Sequence, residues 1–413
     1  FLPRKFKIAV SGAKEDRAAT AWHDIGLHLV KNEAGDVGFR VLVGGGMGRT
    51  PVTGTEIHAF VPWQQILVYI EAIVRVYNRY GRRDNMYKAR IKILVKAEGQ
   101  KFFDQVNAEF QNIIERDADG AAHLIPQAEF DRVNASFSFP ISVQAHTASG
   151  NGLQADASDT DKAQFAKWLQ RNVAGHKVAG YKNVQLSVKR VGQAPGDATD
   201  AQMDAIADIA DQFSCGELRV THDQNVLLPF VREEDLFAVW QAAKAASFAS
   251  PNIGLLSDMI ACPGGDFCAL ANARSIPIAN DLIARYQDLD ELYDIGDIDL
   301  HISGCINSCG HHHSGHIGIL GVDKDGSEWY QVTLGGSDGS NHAPASVAGK
   351  VIGPSFAADE VTDVIEAVID TYRAQRAAKE KFIDTVQRVG LDPFKTAANA
   401  VRRTTAKDSA KAA

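Results

Sequence analysis

Cysteines carry the clearest chemical signal in the chain, because four of the five fall into two close pairs. The first pair has the spacing C-x5-C and the second C-x3-C, with 36 residues between the pairs. These residues are Cys262, Cys268, Cys305 and Cys309. Four thiolates in two groups can converge on one metal centre, and iron–sulfur clusters are held by such sets. Glycines beside both pairs allow the backbone to pass close to sulfur and iron. The pattern favours a [4Fe–4S] cluster.

Two simpler explanations of the cysteines remain open. A structural zinc site usually has C-x2-C or C-x4-C pairs, which this spacing fits poorly. Unrelated core cysteines are common, although not as two tight pairs beside glycine loops. The fifth cysteine, Cys215, lies alone, and we expect it to be a small buried residue rather than a ligand.

Four histidines follow the last cysteine of the second pair: His311, His312, His313 and His316. Such a run could bind a transition metal. It could equally consist of polar loop side chains that donate hydrogen bonds to acidic groups of a cofactor. We favour the second interpretation, because the adjacent cysteines already account for a metal centre.

Two lysines near the start of the chain could bind an anion. The stretch Leu2–Val10 alternates like a strand, so Lys5 and Lys7 are expected on the same face. Such lysines often protect an exposed edge strand. Alternatively, an anion between them relieves their mutual repulsion. Three further cations in the same segment favour the anion, namely Arg49, Arg82 and Arg83.

A glycine loop at Gly44, Gly45 and Gly46 invites a dinucleotide-binding interpretation. The motif would need a further glycine where Arg49 stands, and the residues from Thr50 onwards do not begin a helix. We expect instead that the loop allows the backbone to approach a large flat cofactor.

The chain contains an internal repeat. Three pairs of similar stretches occur in the same order, which a chance match would not produce. They are Ile8–Gly12 with Leu300–Gly304, Phe39–Gly45 with Tyr330–Gly336, and Ile70–Tyr77 with Ile365–Tyr372. We predict two copies of one strand–loop–strand–helix module.

A segment of different character, residues 126–248, separates the two copies. It predicts a strand at Val184–Arg190, a helix at Ala201–Phe213 capped by Thr199 or Asp200, and strands at Glu217–His222 and Asn225–Val231. The fold class is therefore predicted as α+β, with domains at 1–125, 126–248 and 249–413. If such a segment precedes each copy, the first copy lacks its own, and we expect the chain to begin within a domain.

Composition excludes several classes of protein. The 413 residues carry a net charge of −8, so no nucleic-acid partner is expected. No apolar run approaches the roughly 20 residues of a membrane span, so no membrane partner is expected either. Five cysteines in so long a chain argue against a disulfide scaffold.

Four stretches together resemble the assimilatory sulfite and nitrite reductase haemoproteins, a sirohaem-dependent family. They are Leu2–Lys7, Leu42–Gly46, Ala261–Cys268 and Gly304–Gly310. The resemblance covers nearly the whole chain. It implies reductase modules duplicated about a pseudo-twofold axis, with a ferredoxin-like α+β segment between them. It also implies an N-terminal segment that this sequence lacks.

The resemblance implies a role for each matching residue. The four paired cysteines would hold the [4Fe–4S] cluster, and Cys309 would also bridge it to the sirohaem iron. Lys5 and Lys7 would face the bound substrate. Contacts with sirohaem and its carboxylates are implied for Arg4, Gly44, Gly45, Gly46, Gln224, Asn225 and Asn307.

The implied reaction is the six-electron reduction of sulfite to sulfide, or alternatively of nitrite to ammonia. Cys262-Pro263 resembles the sulfite branch, whereas Ile306 departs from the proline usual in both branches. The electron donor would be a flavoprotein reductase or a ferredoxin. An oxygen-sensitive cluster suggests a cytoplasmic location. A non-catalytic iron–sulfur electron carrier is the alternative of another class, since it would need the cysteines but neither lysine.

Overall fold

The computed structural model describes residues 2, 6–116, 124–140, 142–339 and 345–403. The chain divides into two compact units. The first unit comprises Phe1–Ser138 and Ser337–Ala348, and the second comprises Phe139–Gly336 and Gly349–Ala413. Arg4 and Lys5 lie outside the described residues.

The strands of the described residues form three sheets. They are β1 (Ile8–Ser11), β2 (Ile25–Lys31), β3 (Val37–Val43), β4 (Thr55–Pro62), β5 (Val173–Gly175), β6 (Tyr181–Leu186), β7 (Arg219–Val220), β8 (Val226–Arg232), β9 (Ile260–Ala261), β10 (Leu300–Ser303), β11 (Ile317–Lys324), β12 (Ser327–Leu334), β13 (Lys350–Val351) and β14 (Phe356–Ala357).

The same residues contain the α-helices of both units. They are α1 (Ile66–Tyr80), α2 (Ile91–Glu98), α3 (Gln100–Arg116), α4 (Gln127–Asn134), α5 (Asp159–Asn172), α6 (Asp200–Phe213), α7 (Leu236–Ala245), α8 (Ile276–Arg285), α9 (Leu289–Ile295), α10 (Val361–Gln375), α11 (Phe382–Val389) and α12 (Asp392–Ala400).

The first unit is built on a four-stranded sheet in the order β1-β2-β3-β4. Strand β1 is parallel to β2, while the other neighbours are antiparallel. Helix α1 buries Tyr69, Ile73 and Tyr77, whose spacing of four residues places them on one helical face. Together with Val41 and Phe102 they form part of the core of this unit.

The second unit contains a matching arrangement in a six-stranded sheet, in the order β13-β12-β11-β10-β9 with β14 beside β12. Leu300 pairs with Ile317 across parallel strands, as Ile8 pairs with Ile25 in the first unit. In both pairs the partners are 17 residues apart in sequence. An antiparallel pair and a long helix, α1 or α10, follow in each unit. The predicted duplication is confirmed.

The remaining sheet of the second unit, in the order β5-β6-β8-β7, belongs to the segment between the two copies. Helix α6 packs against β8 and α7. It begins with a capping box, in which the Thr199 hydroxyl accepts the Gln202 N–H and the Gln202 side chain accepts the Thr199 N–H. The α+β class is confirmed, and Thr199 rather than Asp200 caps the helix.

Several predicted elements are wrong in extent. The strand expected at Val184–Arg190 runs over Tyr181–Leu186, and the strand expected at Glu217–His222 is only Arg219–Val220. The strand expected from Leu2 begins at Ile8, so Lys7 precedes it. The three domain boundaries stay a prediction. None of the helices in the described parts of the chain combines the length and apolar character that crossing a bilayer requires.

Candidate functional site

The two cysteine pairs follow two neighbouring strands of the second unit. Strands β9 and β10 are parallel, with Ala261 opposite Ile302. Cys262 directly follows β9, and Cys305 lies two residues beyond β10. Because the carboxyl ends of parallel strands meet at one edge of a sheet, both cysteine loops leave the sheet side by side.

Main-chain hydrogen bonds join these two loops. The carbonyl oxygen of Gly304 accepts the N–H groups of Asn272 and Ala273, with N···O distances of 2.8 and 3.0 Å. The Cys262 N–H donates to the Ile302 carbonyl at 3.1 Å. In return, the Gly304 N–H donates to Sγ of Cys262 at 3.1 Å.

Glycines allow the loops to approach this closely. A Cβ atom on Gly304 would lie 2.5 Å from the Ala273 carbonyl oxygen and 2.7 Å from Cα of Gly264. Gly264 has φ +58°, and a Cβ there would lie 2.7 Å from Oγ of Ser275. Side chains at these two positions would force the loops apart. A close approach of the backbone to sulfur and iron, the role expected of these glycines, stays a prediction.

The four thiols differ in exposure. Cys305 is buried, Cys262 and Cys268 are half-buried, and Cys309 is exposed. Across the parts of the chain that the structure describes, no three Cys, His, Asp or Glu side chains are grouped so that they could hold a metal ion. The donor set nevertheless fits an iron–sulfur cluster in chemistry, since it supplies four thiols from two joined loops. Their convergence on one cluster stays a proposal.

Contacts of Ser308 hold the turn between Cys305 and Cys309 in place. The Ser308 N–H donates to the Cys305 carbonyl at 3.1 Å, and Ser308 has φ +59°. Its Oγ lies 3.1 Å from Nδ1 of His312, and both side chains are buried. Burial lowers the pKa of His312 to about 2, so the ring is neutral at physiological pH. Asn307 is exposed on the same turn.

Three of the four histidines in the run that follows Cys309 are buried. Hydrogen bonds from this run to a cofactor stay a prediction. His312 is fully enclosed, and the centre of the His313 ring lies 3.9 Å from that of His312. Nδ1 of His316 accepts the Asp299 N–H at 3.2 Å. These rings therefore belong to the packed interior behind the cysteine turn.

Gln224 and Asn225 already use their side-chain amides within the protein. Nε2 of Gln224 donates to the Ala261 carbonyl at 2.8 Å, and its Oε1 accepts the Ala261 N–H at 3.0 Å. Asn225 is 1% exposed, and its Nδ2 donates to Asp258 at 2.8 Å. Its Oδ1 accepts from Lys189 Nζ at 3.2 Å. A sirohaem contact for either residue stays a prediction.

Sequence reasoning missed the ion pair of Lys189 and Asp258 in this network. The Lys189 side chain is wholly buried, with Nζ 3.2 Å from Oδ1 of Asp258. Burial raises the pKa of the Asp258 carboxyl, opposed by the nearby ammonium. Lysine is almost never fully buried, so the sequence held no signal of this pair.

In the first unit, Lys7 is exposed and its main chain is anchored. Its N–H donates to Oδ2 of Asp24 at 3.0 Å. The carboxylate of Asp24 is fully buried and also accepts from Arg90. The Gly44 N–H donates to the Asp24 carbonyl at 2.9 Å. Lys7 and the glycine loop therefore share one anchor.

Hydrogen bonds from a buried lysine hold the glycine loop in place. Nζ of Lys92 donates to the carbonyl oxygens of Gly46, Met47 and Thr50 at 3.3, 3.0 and 2.6 Å. Burial, aided by the charge of Arg90, lowers the pKa of Lys92 to about 8. Sequence reasoning also missed this residue.

The three arginines cited in favour of an anion are all exposed. Arg82 pairs with Asp84, and Arg83 donates to main-chain and side-chain oxygens of Asn78. Those contacts are local, so these two residues add little to the case for an anion site.

Cys215 is exposed, which corrects the expectation that it is buried. Its Sγ lies 3.5 Å from the Ser142 hydroxyl, at the end of α6 rather than beside the paired cysteines. The left-handed φ of +55° at Cys215 turns the chain out of that helix.

Comparison with known proteins agrees with this arrangement. A family model described as "Nitrite and sulphite reductase 4Fe-4S domain" matches residues 1–114 and 259–404. A second, described as "Nitrite/Sulfite reductase ferredoxin-like half domain", matches residues 185–246. The first model covers both copies of the duplicated module, and the second covers β7, β8 and the end of β6 in the sheet between them.

The relatives include both a nitrite reductase and a sulfite reductase. The chain is 28% identical to an assimilatory ferredoxin-dependent nitrite reductase of Haloferax mediterranei, over 95% of this chain and 62% of the relative. It is 26% identical to sulfite reductase [ferredoxin] 2 of Mycolicibacterium paratuberculosis, over 95% of this chain and 63% of the relative. The chain thus spans about three fifths of the curated relatives that it matches.

A solved structure, that of the Mycobacterium tuberculosis NirA protein, shares the fold. The TM-score is 0.67 at 23% identity, over 95% of this chain and 64% of that one.

Proposed function

The chain belongs to the nitrite and sulphite reductase 4Fe-4S domain family, and from this premise we propose that it reduces sulfite to sulfide in a six-electron reaction. The proposed cofactors are a sirohaem and a [4Fe–4S] cluster coupled through a shared thiolate. The proposed cluster ligands are Cys262, Cys268, Cys305 and Cys309.

The observation that carries the proposal is the joining of the two cysteine loops. The loops follow neighbouring parallel strands. The Gly304 carbonyl oxygen accepts hydrogen bonds from the N–H groups of Asn272 and Ala273 in the opposite loop. The Gly304 N–H also donates to Sγ of Cys262, which links the first cysteine directly to the second loop. The main chain therefore holds Cys262 beside the loop that carries Cys305 and Cys309.

Cys309 is the proposed bridging ligand. Its thiol is exposed, whereas Ser308 beside it is held by the buried ring of His312. An accessible sulfur on a fixed turn suits a ligand shared by two centres. When bound, the two cofactors would pass electrons to the substrate one at a time.

Lys5 and Lys7 are the proposed substrate residues. Ammonium groups attract sulfite or nitrite, donate hydrogen bonds to their oxygens, and supply protons as those oxygens leave as water. The anchoring of the Lys7 main chain by Asp24 supports this role, since a fixed base limits the positions of the side chain.

The observations behind the other proposed sirohaem contacts differ from residue to residue. The main chain at Gly44, Gly45 and Gly46 is tightly held, and a Cβ on Gly45 would lie 2.6 Å from the His23 carbonyl oxygen. Asn307 is exposed on the cysteine turn. Arg4 is proposed from the resemblance alone. Gln224 and Asn225 are weaker candidates, because their amides already have partners.

Nitrite is the second candidate substrate. Cys262-Pro263 supports sulfite, whereas one relative named above is a nitrite reductase. Because both named relatives are ferredoxin enzymes, we propose a ferredoxin rather than a flavoprotein reductase as the electron donor.

The absorption spectrum of the full-length, iron-replete protein tests the cofactors. Sirohaem gives a Soret band and red bands, while an iron–sulfur electron carrier shows only broad absorption. A spectrum without tetrapyrrole bands would refute the reductase proposal and favour the carrier.

Steady-state kinetics with a reduced viologen as donor decide the substrate. A higher kcat/KM for sulfite than for nitrite is expected. The reverse preference would assign the protein to nitrite reduction and show that Cys262-Pro263 does not mark the substrate.

A further inference from the structure

Gln224 completes the open edge of the strand that leads into the first cysteine pair. Strand β9 is the last strand of its sheet, with β10 on one side only. On the other side, the Gln224 side chain donates to the Ala261 carbonyl and accepts the Ala261 N–H, at 2.8 and 3.0 Å. One amide thus imitates a neighbouring strand at the residue before Cys262.

The main chain at Gln224 is held in the conformation that this contact needs. Gln224 has φ +58°, a left-handed value that costs energy for a residue with a side chain. Its carbonyl oxygen accepts from Lys189 Nζ at 3.3 Å, and the same Nζ donates to the Asp223 carbonyl at 2.5 Å. A buried ammonium therefore fixes the turn that presents the glutamine.

Lys189 also connects this turn to the residues that precede β9. Nζ of Lys189 also meets Oδ1 of Asp258, which lies two residues before the strand begins. Oδ2 of Asp258 accepts the Gly254 N–H at 3.0 Å, and Asn225 bridges the ion pair. The network consequently holds both the glutamine and the strand that it contacts.

From these contacts we propose that Gln224 is a positioning residue for Cys262, and that its amide sets where the thiolate lies relative to the Gly304 N–H. The inference rests on the proposed cluster. It also explains why both ends of the Gln224 amide are engaged by the protein. Hydrogen bonds to cluster sulfurs tune the reduction potential, so moving Cys262 would change both the hold on iron and the potential.

Two variants and a matched control test this role in the iron-replete protein. Gln224→Met removes both hydrogen bonds at similar volume, while Gln224→Glu keeps an acceptor for the Ala261 N–H but loses the donor. Gln287→Met removes a surface glutamine that donates to the Ala284 carbonyl, away from the cysteine loops. The measurements are the rate of iron release to a ferrous chelator and the electron paramagnetic resonance spectrum after reduction.

Gln224→Met is expected to release iron about tenfold to a hundredfold faster, as for other residues that support metal ligands. Gln224→Glu should lie between it and the wild type, with shifted resonance lines in both variants, and Gln287→Met should match the wild type. Wild-type rates and spectra in both Gln224 variants would overturn the inference. If Gln224→Met does not fold, Gln224→Glu decides the outcome.

Labelling of Cys262 by iodoacetamide separates this inference from the proposed function. A wild-type protein that binds no cluster would refute the proposed function. Faster labelling of Cys262 in Gln224→Met than in the wild type would then still support the positioning role, and equal labelling would overturn it.

Discussion

Asp24 and Arg90 form a two-point ion pair, with Nε 3.0 Å from Oδ1 and Nη2 2.8 Å from Oδ2. The carboxylate is fully buried. The carboxylate also accepts the Lys7 N–H, and the main-chain carbonyl of Asp24 accepts the Gly44 N–H. Asp24 therefore positions the proposed substrate lysine and the glycine loop together.

Arg90→Met should destabilise the protein by about 3–5 kcal/mol, because it leaves the Asp24 carboxylate buried without its charge partner. The free energy of unfolding in urea measures the loss. Arg82→Met is the matched control, since solvent screens the exposed pair of Arg82 with Asp84 and its loss should change stability little. Equal effects of the two substitutions would show that the buried pair is not a structural anchor.

Lys92 should make stability depend on pH. At pH 7 the ammonium is protonated in both the folded and the unfolded chain, so the cost of burying its charge is fully present. Since burial lowers its folded pKa to about 8, the folded chain loses this proton before the unfolded chain does, whose lysine has a pKa near 10.4. The unfolded state then binds more protons, so this contribution to the free energy of unfolding rises by up to about 3 kcal/mol between about pH 8 and about pH 10.

The measurement is the difference in unfolding free energy between the wild type and Lys92→Met, at about pH 7 and about pH 10. Lys96→Met, at an exposed position on the same helix, controls for the general titration of lysines and tyrosines. A difference that stays constant with pH for Lys92→Met would contradict the lowered pKa.

The duplication was predictable because each copy repeats local signals. Ile8 and Leu300 begin equivalent strands, and Tyr77 and Tyr372 are equivalent buried residues of α1 and α10. Such patterns depend on residues that are near one another in sequence, so periodicity and apolar character reveal them.

The supporting contacts of the site were not predictable in the same way. Gln224 meets Ala261 across 37 residues, and Arg90 meets Asp24 across 66. A pattern among residues that are close together in sequence cannot reveal such contacts. The burial of His312 was likewise hidden, because a histidine run looks polar until the packing around it is known.

Gly304→Ala should disturb both cysteine loops. The new methyl group would meet the Ala273 carbonyl oxygen and the Gly264 main chain, and overpacking of this kind costs about 1–3 kcal/mol. The midpoint temperature of thermal unfolding and the iron content should both fall. Gly175→Ala is the control, because no atom lies within 4 Å of its new Cβ. A normal iron content in Gly304→Ala would show that the loops tolerate separation.

Lys7→Met should lower kcat/KM by about a hundredfold or more, as expected for the loss of a proton donor. The absorption spectrum should not change, because Lys7 is not proposed to hold either cofactor. Lys14→Met, at another exposed position of the same unit, should retain wild-type kinetics. If Lys7→Met keeps full activity, the substrate role assigned to this residue is wrong.

Acid-labile sulfide per chain, measured in the wild type, Cys305→Ser and Cys215→Ser, tests the central claim most directly. We predict that the wild type and Cys215→Ser carry the sulfide of one [4Fe–4S] cluster, and that Cys305→Ser carries almost none. Full sulfide in Cys305→Ser, or none in the wild type, would contradict the assignment of the paired cysteines to a cluster.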